Sequence, residues 1–172
     1  ILYYQIKKNS IGKDIYTVMK KTNPSIFKKA LGAFPTGVAV MTINDNNIFI
    51  GKTVNSFASL SLKPPLVLFS LDKKSSSLEK YKKSKNIGIN ILSSKQKSIS
   101  IHFANKNILW GKIKFFLLKN KIPMITSSLA NMYCKIIKNY SEGDHVIFIC
   151  KVEEIKIDNS LKPLIYYKKK YL

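Results

Sequence analysis

The strongest constraint on the fold is a hairpin signal in the first third of the chain. Two apolar runs rich in β-branched residues, at 38–43 and 48–51, flank the tetrapeptide Asn-Asp-Asn-Asn at 44–47. Asn and Asp tolerate left-handed backbone and hydrogen-bond to their own main chain, so they favour a tight connection between two strands. We therefore predict an antiparallel β-hairpin here.

Other apolar runs are also of strand length. They lie at residues 66–71, 86–92, 123–125, 130–137 and 146–149. The run at 66–71 is almost continuously apolar, which is typical of a strand buried on both faces. Many short strands within 172 residues predict a single, mainly β domain with its own buried core. No run approaches the roughly 20 apolar residues that a membrane-spanning helix needs, so we expect no membrane association.

Short helices are predicted between the strands, at residues 25–32, 72–83 and 94–103. Asn23 or Ser25 is the expected cap of the first helix. Its inner side is expected to carry Ile26, Phe27, Ala30 and Leu31.

Residues 1–24 show weak periodicity, and we predict an N-terminal extension there, either ordered or poorly ordered. The predicted domain occupies residues 25–172. The start at Ile1 rather than Met suits a fragment or a processed form, and the N-terminus lacks the layout of a signal peptide.

The net charge of +21, from 30 basic and 9 acidic residues, is extreme. Such an excess suggests attraction to polyanions in general. Every basic residue is Lys, however, and Arg is the side chain that clamps phosphates and reads guanine edges with two parallel hydrogen bonds. We therefore expect no specific recognition of nucleic acid.

Cys134 and Cys150 are the only cysteines, and neither they nor His102 and His145 have the spacing of a metal site. We expect no metal. Two buried thiols in a reducing cytoplasm are the favoured interpretation, with a disulfide between them as the alternative.

The segment that follows the hairpin is unusually polar. Thr53, Asn55, Ser56, Ser59 and Ser61 place five small hydrogen-bonding side chains within nine residues. Hydroxyls and amides of this kind suit a cofactor that has a phosphate, a sugar-like chain and a flat ring. The alternative is an edge strand with a polar outer face that leads into a Ser-rich loop.

The order of motifs resembles the flavin reductase-like family over residues 25–171, nearly the whole chain. The first motif runs through residues 27–38 and continues as Gly51-x-Thr53-x-Asn55-Ser56-Phe57-x-Ser59-x-Ser61, followed by Pro64-Pro65. The second runs from Gln96 to Ala104, and the third is Gly143-Asp144-His145 before an apolar strand. The tail at 162–171 is similar to the family's closing strand, although Lys169 stands where the family often has Gly, which leaves the role of Tyr171 open.

The resemblance implies an antiparallel split β-barrel, the FMN-binding split-barrel fold, with a few flanking helices and a homodimer as the usual assembly. It implies FMN as cofactor, with FAD as the alternative, and NADH or NADPH as hydride donor. It assigns His145 to the nicotinamide and the flavin. The implied cofactor-binding residues are Thr36, Gly37, Val38, Thr53, Val54, Asn55, Ser56, Ser59, Leu60, Ser75, Ser76, Ser77, Phe103 and Ala104. Among them, residues 75–77 would take the phosphate end of the flavin, at the start of the helix predicted over 72–83.

The implied activity is an NAD(P)H:flavin oxidoreductase of the cytoplasm, in which the cofactor supplies the chemistry and the protein orients donor and acceptor. Relatives of this kind commonly serve a flavin-dependent monooxygenase, and such a partner is expected here. One alternative is a flavin-binding electron carrier or sensor of the same fold. A remote alternative is a basic barrel that binds nucleic acid.

Overall fold

The structure is a computed structural model that describes the backbone at residues 4–8 and 14–18, and residues 21–105 and 110–172 in full. The chain divides into two compact units, residues 1–34 and residues 35–172.

The first unit contains a hairpin and a helix. Strands β1 (Tyr4–Lys8) and β2 (Asp14–Val18) pair in antiparallel fashion. Helix α1 (Pro24–Leu31) begins at Asn23, whose side-chain oxygen accepts from the Ile26 N–H at 2.9 Å. Of the two predicted caps, Asn23 is therefore the one used.

The prediction that α1 has a buried inner side is wrong for the chain by itself. Every residue of the helix is exposed, including the large apolar side chains of Phe27 and Leu31. The hydrophobic pattern correctly identified a helix with an apolar stripe, but it cannot say whether that stripe meets this chain or another. The extension predicted over residues 1–24 falls in the first unit. Apart from β1, β2 and residues 21–24, it lies outside the described part of the chain.

The second unit is mainly antiparallel β-structure. Its strands are β3 (Thr36–Gly37), β4 (Ala39–Asp45), β5 (Ile48–Val54), β6 (Ala58–Ser61), β7 (Leu66–Asp72), β8 (Asn86–Ile91), β9 (Phe115–Leu117), β10 (Pro123–Ile125), β11 (Ala130–Glu142), β12 (His145–Ile157), β13 (Ile165–Tyr167) and β14 (Lys170–Tyr171). Its helices are α2 (Leu78–Lys83) and α3 (Lys97–Ala104), with short 3-10 turns at Ser94–Gln96 and Lys119–Lys121.

Seven of these strands form one antiparallel sheet in the order β5-β4-β8-β11-β12-β7-β6. Two smaller sheets flank it, one from β9 and β10 and one in the order β14-β13-β3. The predicted hairpin is confirmed as β4 and β5. Asn46 and Asn47 make its turn with φ angles of 53° and 66°, which is the left-handed conformation that Asn tolerates best after Gly.

Both faces of β4 are buried, in two different clusters. Alternate residues such as Met41 and Ile43 point into the main core, whereas Val38 and Val40 pack with Phe103 and Leu164 in a second cluster. Helix α3 covers this second face. At Gly51 a Cβ atom would lie 2.5 Å from the Phe103 ring, so the close approach of α3 to β5 requires glycine there.

Strand β7 departs from its prediction. Its residues alternate between buried and half-buried, so the expectation that it is buried on both faces is wrong. Phe69 and Leu71 point into the main core, and Leu68 and Ser70 lie on the outer face. An almost continuous apolar run does not distinguish a strand with two covered faces from one whose outer face is only half-covered.

A cluster of polar side chains joins the strands in the interior. The Asn90 amide donates to Val40 O at 2.9 Å, and its oxygen accepts from the Ile125 N–H and from the Asn131 amide, both at 2.8 Å. Thr42 Oγ1 lies 2.6 Å from Pro123 O, to which it donates. These side chains tie β4, β8, β10 and β11 together, and we call them the Asn90 cluster (Thr42, Asn90 and Asn131).

Cys134 and Cys150 are buried and free, as the favoured interpretation expected. Burial raises the pKa of the Cys150 thiol to about 12 and raises the pKa of Cys134 as well, so both stay protonated at neutral pH. None of the helices in the described part of the chain has both the length and the apolar character to span a membrane. The described residues also contain no group of three or more side chains placed to hold a metal ion.

Candidate functional site

A cleft of about 180 Å³ collects four of the sequence-predicted cofactor residues. Its lining consists of Val38, Thr53, Val54, Asn55, Tyr166 and Tyr171. Four of these come from the end of β5 and the start of β4, which are neighbours in the hairpin, and the two tyrosines come from the C-terminal strands. The hairpin therefore brings the first motif and the C-terminal tail to one place.

Thr36 lies beside this cleft and carries an unusual hydroxyl. Thr36 pairs with Tyr166 across β3 and β13, so its backbone is adjacent to a cleft residue. Its Oγ1 atom is buried, and no described residue forms a hydrogen bond with it. An unpaired buried hydroxyl costs about 1–3 kcal/mol, so such groups call for an explanation. A bound ligand with a polar edge would supply the missing partner.

Gly37 also leaves room for a ligand. It lies in β3 without a positive φ, so its contribution is the absence of a side chain and not an unusual backbone conformation. A Cβ atom added at Gly37 would meet nothing within 4 Å. The space beside its main chain is thus open, as the close approach of a ligand requires.

Hydrogen bonds fix the wall of the cleft to helix α3. Thr53 Oγ1 donates to Ser100 O at 2.7 Å, and Ser100 Oγ lies 2.9 Å from the Tyr171 hydroxyl. The Tyr171 ring packs against Tyr166 with 5.2 Å between centroids, and Lys97 Nζ lies 5.8 Å above it. Both tyrosines are consequently held in place before any ligand arrives.

Ser56 links the cleft to the neighbouring strand. Its hydroxyl donates to Ser70 O at 3.1 Å and accepts from Ser70 N at 3.0 Å. A hydroxyl has one hydrogen to donate, so Ser56 has only acceptor capacity left for a ligand. Its first role is to attach the end of the polar stretch to β7.

The predicted phosphate residues and His145 meet at one end of β7. Asp72 pairs with His145 across β7 and β12, and Lys73 N donates to Asp144 O at 2.9 Å. The loop that follows Asp72 carries Ser75, Ser76 and Ser77, with 3.2 Å between the first and last hydroxyl oxygens. Ser77 stands at the start of α2 but makes no side-chain cap bond.

His145 follows the Gly143 turn, where φ is 52°, and its Nδ1 lies 2.6 Å from Asp144 Oδ1. The hydrogen bond and the charge of His145 lower the pKa of the exposed Asp144 carboxyl. The carboxylate thereby occupies Nδ1 of the imidazole and leaves Nε2 as the ring nitrogen that a ligand can contact.

The remaining predicted residues are not gathered in the cleft. Ser59 and Leu60 are exposed on the edge strand β6. Phe103 is fully buried, with its ring 5.1 Å from that of Trp110, so it anchors its own helix, α3, in the core. Ala104 ends α3, and its carbonyl accepts from Lys52 Nζ at 3.5 Å. The assignment of these four residues to the cofactor stays a prediction.

Tyr166 and Tyr171 are the cleft residues that the sequence did not identify. The signal was present, since two aromatic residues flank the short turn between β13 and β14. Lys168 and Lys169 form that turn with positive φ angles of 46° and 64°. The missing Gly at position 169 obscured the turn in the sequence, because Lys seldom adopts this backbone conformation.

Comparison with known proteins gives a consistent result. The family model of the flavin reductase like domain matches residues 31–172. The chain is 37% identical over 130 residues to the "FMN reductase (NADH) SmoA" of Agrobacterium fabrum, covering 76% of this chain and 75% of that protein. It is 34% identical over 152 residues to the "Flavin-dependent monooxygenase, reductase subunit HsaB" of Mycobacterium tuberculosis, covering 87% and 81%.

Among solved structures, "Flavin reductase PheA2 in native state" superposes with a TM-score of 0.82 at 38% identity, over 88% of this chain and 97% of that one. The mainly β, antiparallel fold predicted from the sequence is therefore confirmed, and it is of the split-barrel type.

Proposed function

The chain belongs to the flavin reductase like domain family, and on that premise we propose that it is an NADH-dependent flavin reductase. The flavin, when bound, supplies the chemistry of accepting a hydride from the nicotinamide at its N5. The observation that carries the proposal is the cleft beside Thr36. Four residues expected at a flavin site line this cleft, which we call the flavin cleft, and the buried hydroxyl of Thr36, which lacks a partner, belongs to the cross-strand neighbour of the cleft residue Tyr166.

The side chains of the cleft suit the ring of a flavin. Val38 and Val54 offer apolar contact, and Tyr166 and Tyr171 add two aromatic rings to the lining. Thr36 would donate its hydroxyl hydrogen to a carbonyl at the polar ring edge, and Asn55 can both donate and accept there. The main chain at Gly37 is open to a ligand, because a Cβ atom there would meet nothing within 4 Å.

The end of β7 suits the phosphate of the cofactor. Residues 75–77 offer three hydroxyls at the start of α2, and Lys73 and Lys74 add positive charge. A phosphate accepts hydrogen bonds from such groups and is attracted by the cations. His145 would approach the nicotinamide from the adjacent turn, where Asp144 orients it.

We propose NADH and FMN as substrates, because the relative from Agrobacterium fabrum is named an NADH-dependent FMN reductase, and NADPH and FAD belong in the same assay. A flavin-dependent monooxygenase is the proposed partner, since the relative from M. tuberculosis is the reductase subunit of one. The cytoplasm is the proposed compartment, which agrees with two buried cysteines that form no disulfide.

We also propose a homodimer. The second unit exposes large apolar side chains on and beside its sheet, among them Leu60, Leu62, Ile137 and Tyr140. The first unit exposes Phe27 and Leu31 on α1. Apolar surface of this extent is typical of an interface. Light scattering should give twice the mass of one chain, and a mass of one chain would contradict the dimer.

The function is tested by FMN binding and by NADH oxidation with FMN as acceptor. Asn55→Ala should weaken FMN binding, and His145→Ala should reduce turnover while FMN still binds. Asn159→Ala, an exposed Asn outside the site, serves as the control. Tight FMN binding without turnover by either nucleotide would contradict the reductase and indicate a carrier or sensor. Salt-sensitive binding of DNA without FMN binding would leave only the nucleic-acid alternative.

A further inference from the structure

A second cleft lies apart from the proposed flavin site. Its volume is about 620 Å³, and we call it the lysine cleft. It is lined by Lys95, Gln96, Ser98, Ile99, His102, Trp110, Gly111, Lys112, Ile113, Lys114, Thr126 and Ser127. None of these residues belongs to the predicted flavin set, so the proposed function does not account for the cleft.

Helix α3 separates the lysine cleft from the flavin cleft. Ser100 faces the flavin side, where it meets Thr53 and Tyr171. Ser98 and His102 lie two residues on either side of Ser100, and at 3.6 residues per turn they fall on the opposite face of the helix. Ile99 joins the two sides, because it lines the lysine cleft and packs in the same cluster as Tyr171.

The floor of the lysine cleft is apolar and rigid. Ile99, Trp110 and Ile113 are half-buried there. The indole N–H of Trp110 donates to Phe49 O at 2.9 Å. The indole ring is also held by Phe103 and Phe115, at 5.1 and 4.8 Å between centroids. A fixed aromatic surface of this kind can pack against a flat heterocycle at little loss of side-chain entropy.

The rim of the lysine cleft is cationic. Lys95, Lys112 and Lys114 line it, and none of the three forms an ion pair within the described part of the chain. The cleft has no acidic residue in its lining, and Ser98 and Ser127 add hydroxyls. Lysines by themselves would not indicate a ligand site in a chain with 30 basic residues. Lysines at the rim of an apolar floor do indicate one, because the combination suits a flat ring that carries phosphate.

We infer that the lysine cleft binds an adenosine phosphate, as the part of a dinucleotide that does not take part in hydride transfer. The inference rests on the proposed function, in which NADH is the donor and FAD an alternative acceptor, since both contain this group. The volume lies within the roughly 300–1,000 Å³ that is usual for small-molecule sites. The adenine would contact the Trp110 side of the floor, and the phosphates would meet Lys112 and Lys114.

Trp110 is the only tryptophan of the chain and lines this cleft, so tryptophan fluorescence reports on a single, known position. We expect ADP to change the emission of Trp110 in a saturable way, and adenosine without phosphate to bind at least tenfold more weakly. The double variant Lys112→Gln/Lys114→Gln should raise the Kd of ADP at least tenfold. The control Lys138→Gln/Lys151→Gln, at two exposed lysines outside the cleft, should leave that Kd unchanged.

Two further comparisons separate the sources of the adenosine phosphate. If it belongs to the donor, the Lys112→Gln/Lys114→Gln variant raises the KM of NADH and leaves that of reduced nicotinamide mononucleotide unchanged. If it belongs to the flavin, the variant weakens the binding of FAD and not of FMN. Either result supports the inference.

Three results would overturn the inference: no effect of ADP on Trp110, equal ADP affinity in both double variants, or an unchanged KM for NADH together with unchanged FAD binding. Failure of the proposed function is a separate result, because it appears as wild-type protein that does not oxidise NADH with any flavin.

Discussion

Two groups of buried polar side chains in the second unit differ in whether they have hydrogen-bond partners. In the Asn90 cluster the Thr42 hydroxyl and both the amide nitrogen and the oxygen of Asn90 have partners within the described chain, although Asn90 and Thr42 are fully buried. At the flavin cleft, the buried Thr36 hydroxyl has none. The two sites are close in sequence, since Thr36 and Thr42 are the first and last residues of the short segment 36–42.

This difference separates polar groups that stabilise the fold from those that are available to a ligand. Paired groups in the interior hold strands in register, and their loss leaves partners unsatisfied. An unpaired buried group destabilises the ligand-free protein by about 1–3 kcal/mol, and that free energy is recovered only when a ligand supplies the partner. The contrast predicts different responses to the same substitution at the two places.

The largest effect is expected from Asn90→Ala. The substitution leaves Val40 O, Ile125 N and the Asn131 amide without their partner. Each unsatisfied buried group costs about 1–3 kcal/mol, so we expect the free energy of unfolding in urea to fall by about 3 kcal/mol or more. Asn159→Ala, which is exposed, should change it by less than about 0.5 kcal/mol. Equal stability of the two variants would contradict the role of the Asn90 cluster.

The pair Thr36→Val and Thr42→Val tests the contrast directly, because the chemical change is identical. Thr42→Val should lower the free energy of unfolding by about 1–3 kcal/mol and leave FMN affinity unchanged. Thr36→Val should raise the free energy of unfolding of the ligand-free protein by about 1–3 kcal/mol, because it removes a buried hydroxyl that has no partner. It should weaken FMN binding about tenfold, the equivalent of one hydrogen bond of about 1.4 kcal/mol. Fluorescence titration of FMN measures the second effect, and an unchanged Kd in Thr36→Val would contradict the assignment.

A smaller effect is expected at the turn that presents Tyr171 to the cleft. Lys169 has a φ of 64°, a conformation that costs a residue with a Cβ atom about 1–2 kcal/mol. Glycine avoids this strain but loses about 0.5–1 kcal/mol more entropy on folding, so Lys169→Gly should stabilise the protein by about 0.5 kcal/mol. Lys170→Gly, in strand β14, should destabilise it instead. Destabilisation by both variants in thermal unfolding would contradict the strained turn.

The smallest effect concerns the exposed pair at the other end of the site. The pKa of Asp144 is lowered by its contact with His145, so the contact stabilises the folded state above the ordinary Asp pKa of about 4. That stabilisation is lost as the pH falls through the lowered pKa. In His145→Ala, NMR titration of the Asp144 carboxyl should show the pKa rising toward its ordinary value. An unchanged pKa would show that the contact does not form in solution.

Much of the fold could be predicted from local sequence. The turn residues at 44–47 and the short apolar runs identified the hairpin and most strands, because period and turn chemistry are local properties. The Asn90 cluster was not predictable, since its hydrogen-bond partners lie up to 81 residues apart in the chain and meet only when the sheet forms. The exposed stripe of α1 shows the same limit, because a pattern reveals an apolar face but not what covers it.

The candidate site was predictable as a set of residue types and not as a geometry. The order of motifs in the chain identifies Val38, Thr53 and Asn55, which line the cleft. Tyr166 and Tyr171 were missed because the turn between them uses lysines in a conformation that favours Gly. Phe103 packs in the core, where its ring lies against Gly51, and its assignment to the cofactor stays a prediction.

The most direct test of a flavin reductase is to mix the protein with FMN and NADH without oxygen and to follow the visible absorbance of the flavin. We expect rapid bleaching by the wild type and by Thr42→Val. Thr36→Val should bleach the flavin at the same rate only at about tenfold higher FMN, since its defect lies in binding. A protein that binds FMN in this cleft, yet leaves its absorbance unchanged with both NADH and NADPH, would contradict the account.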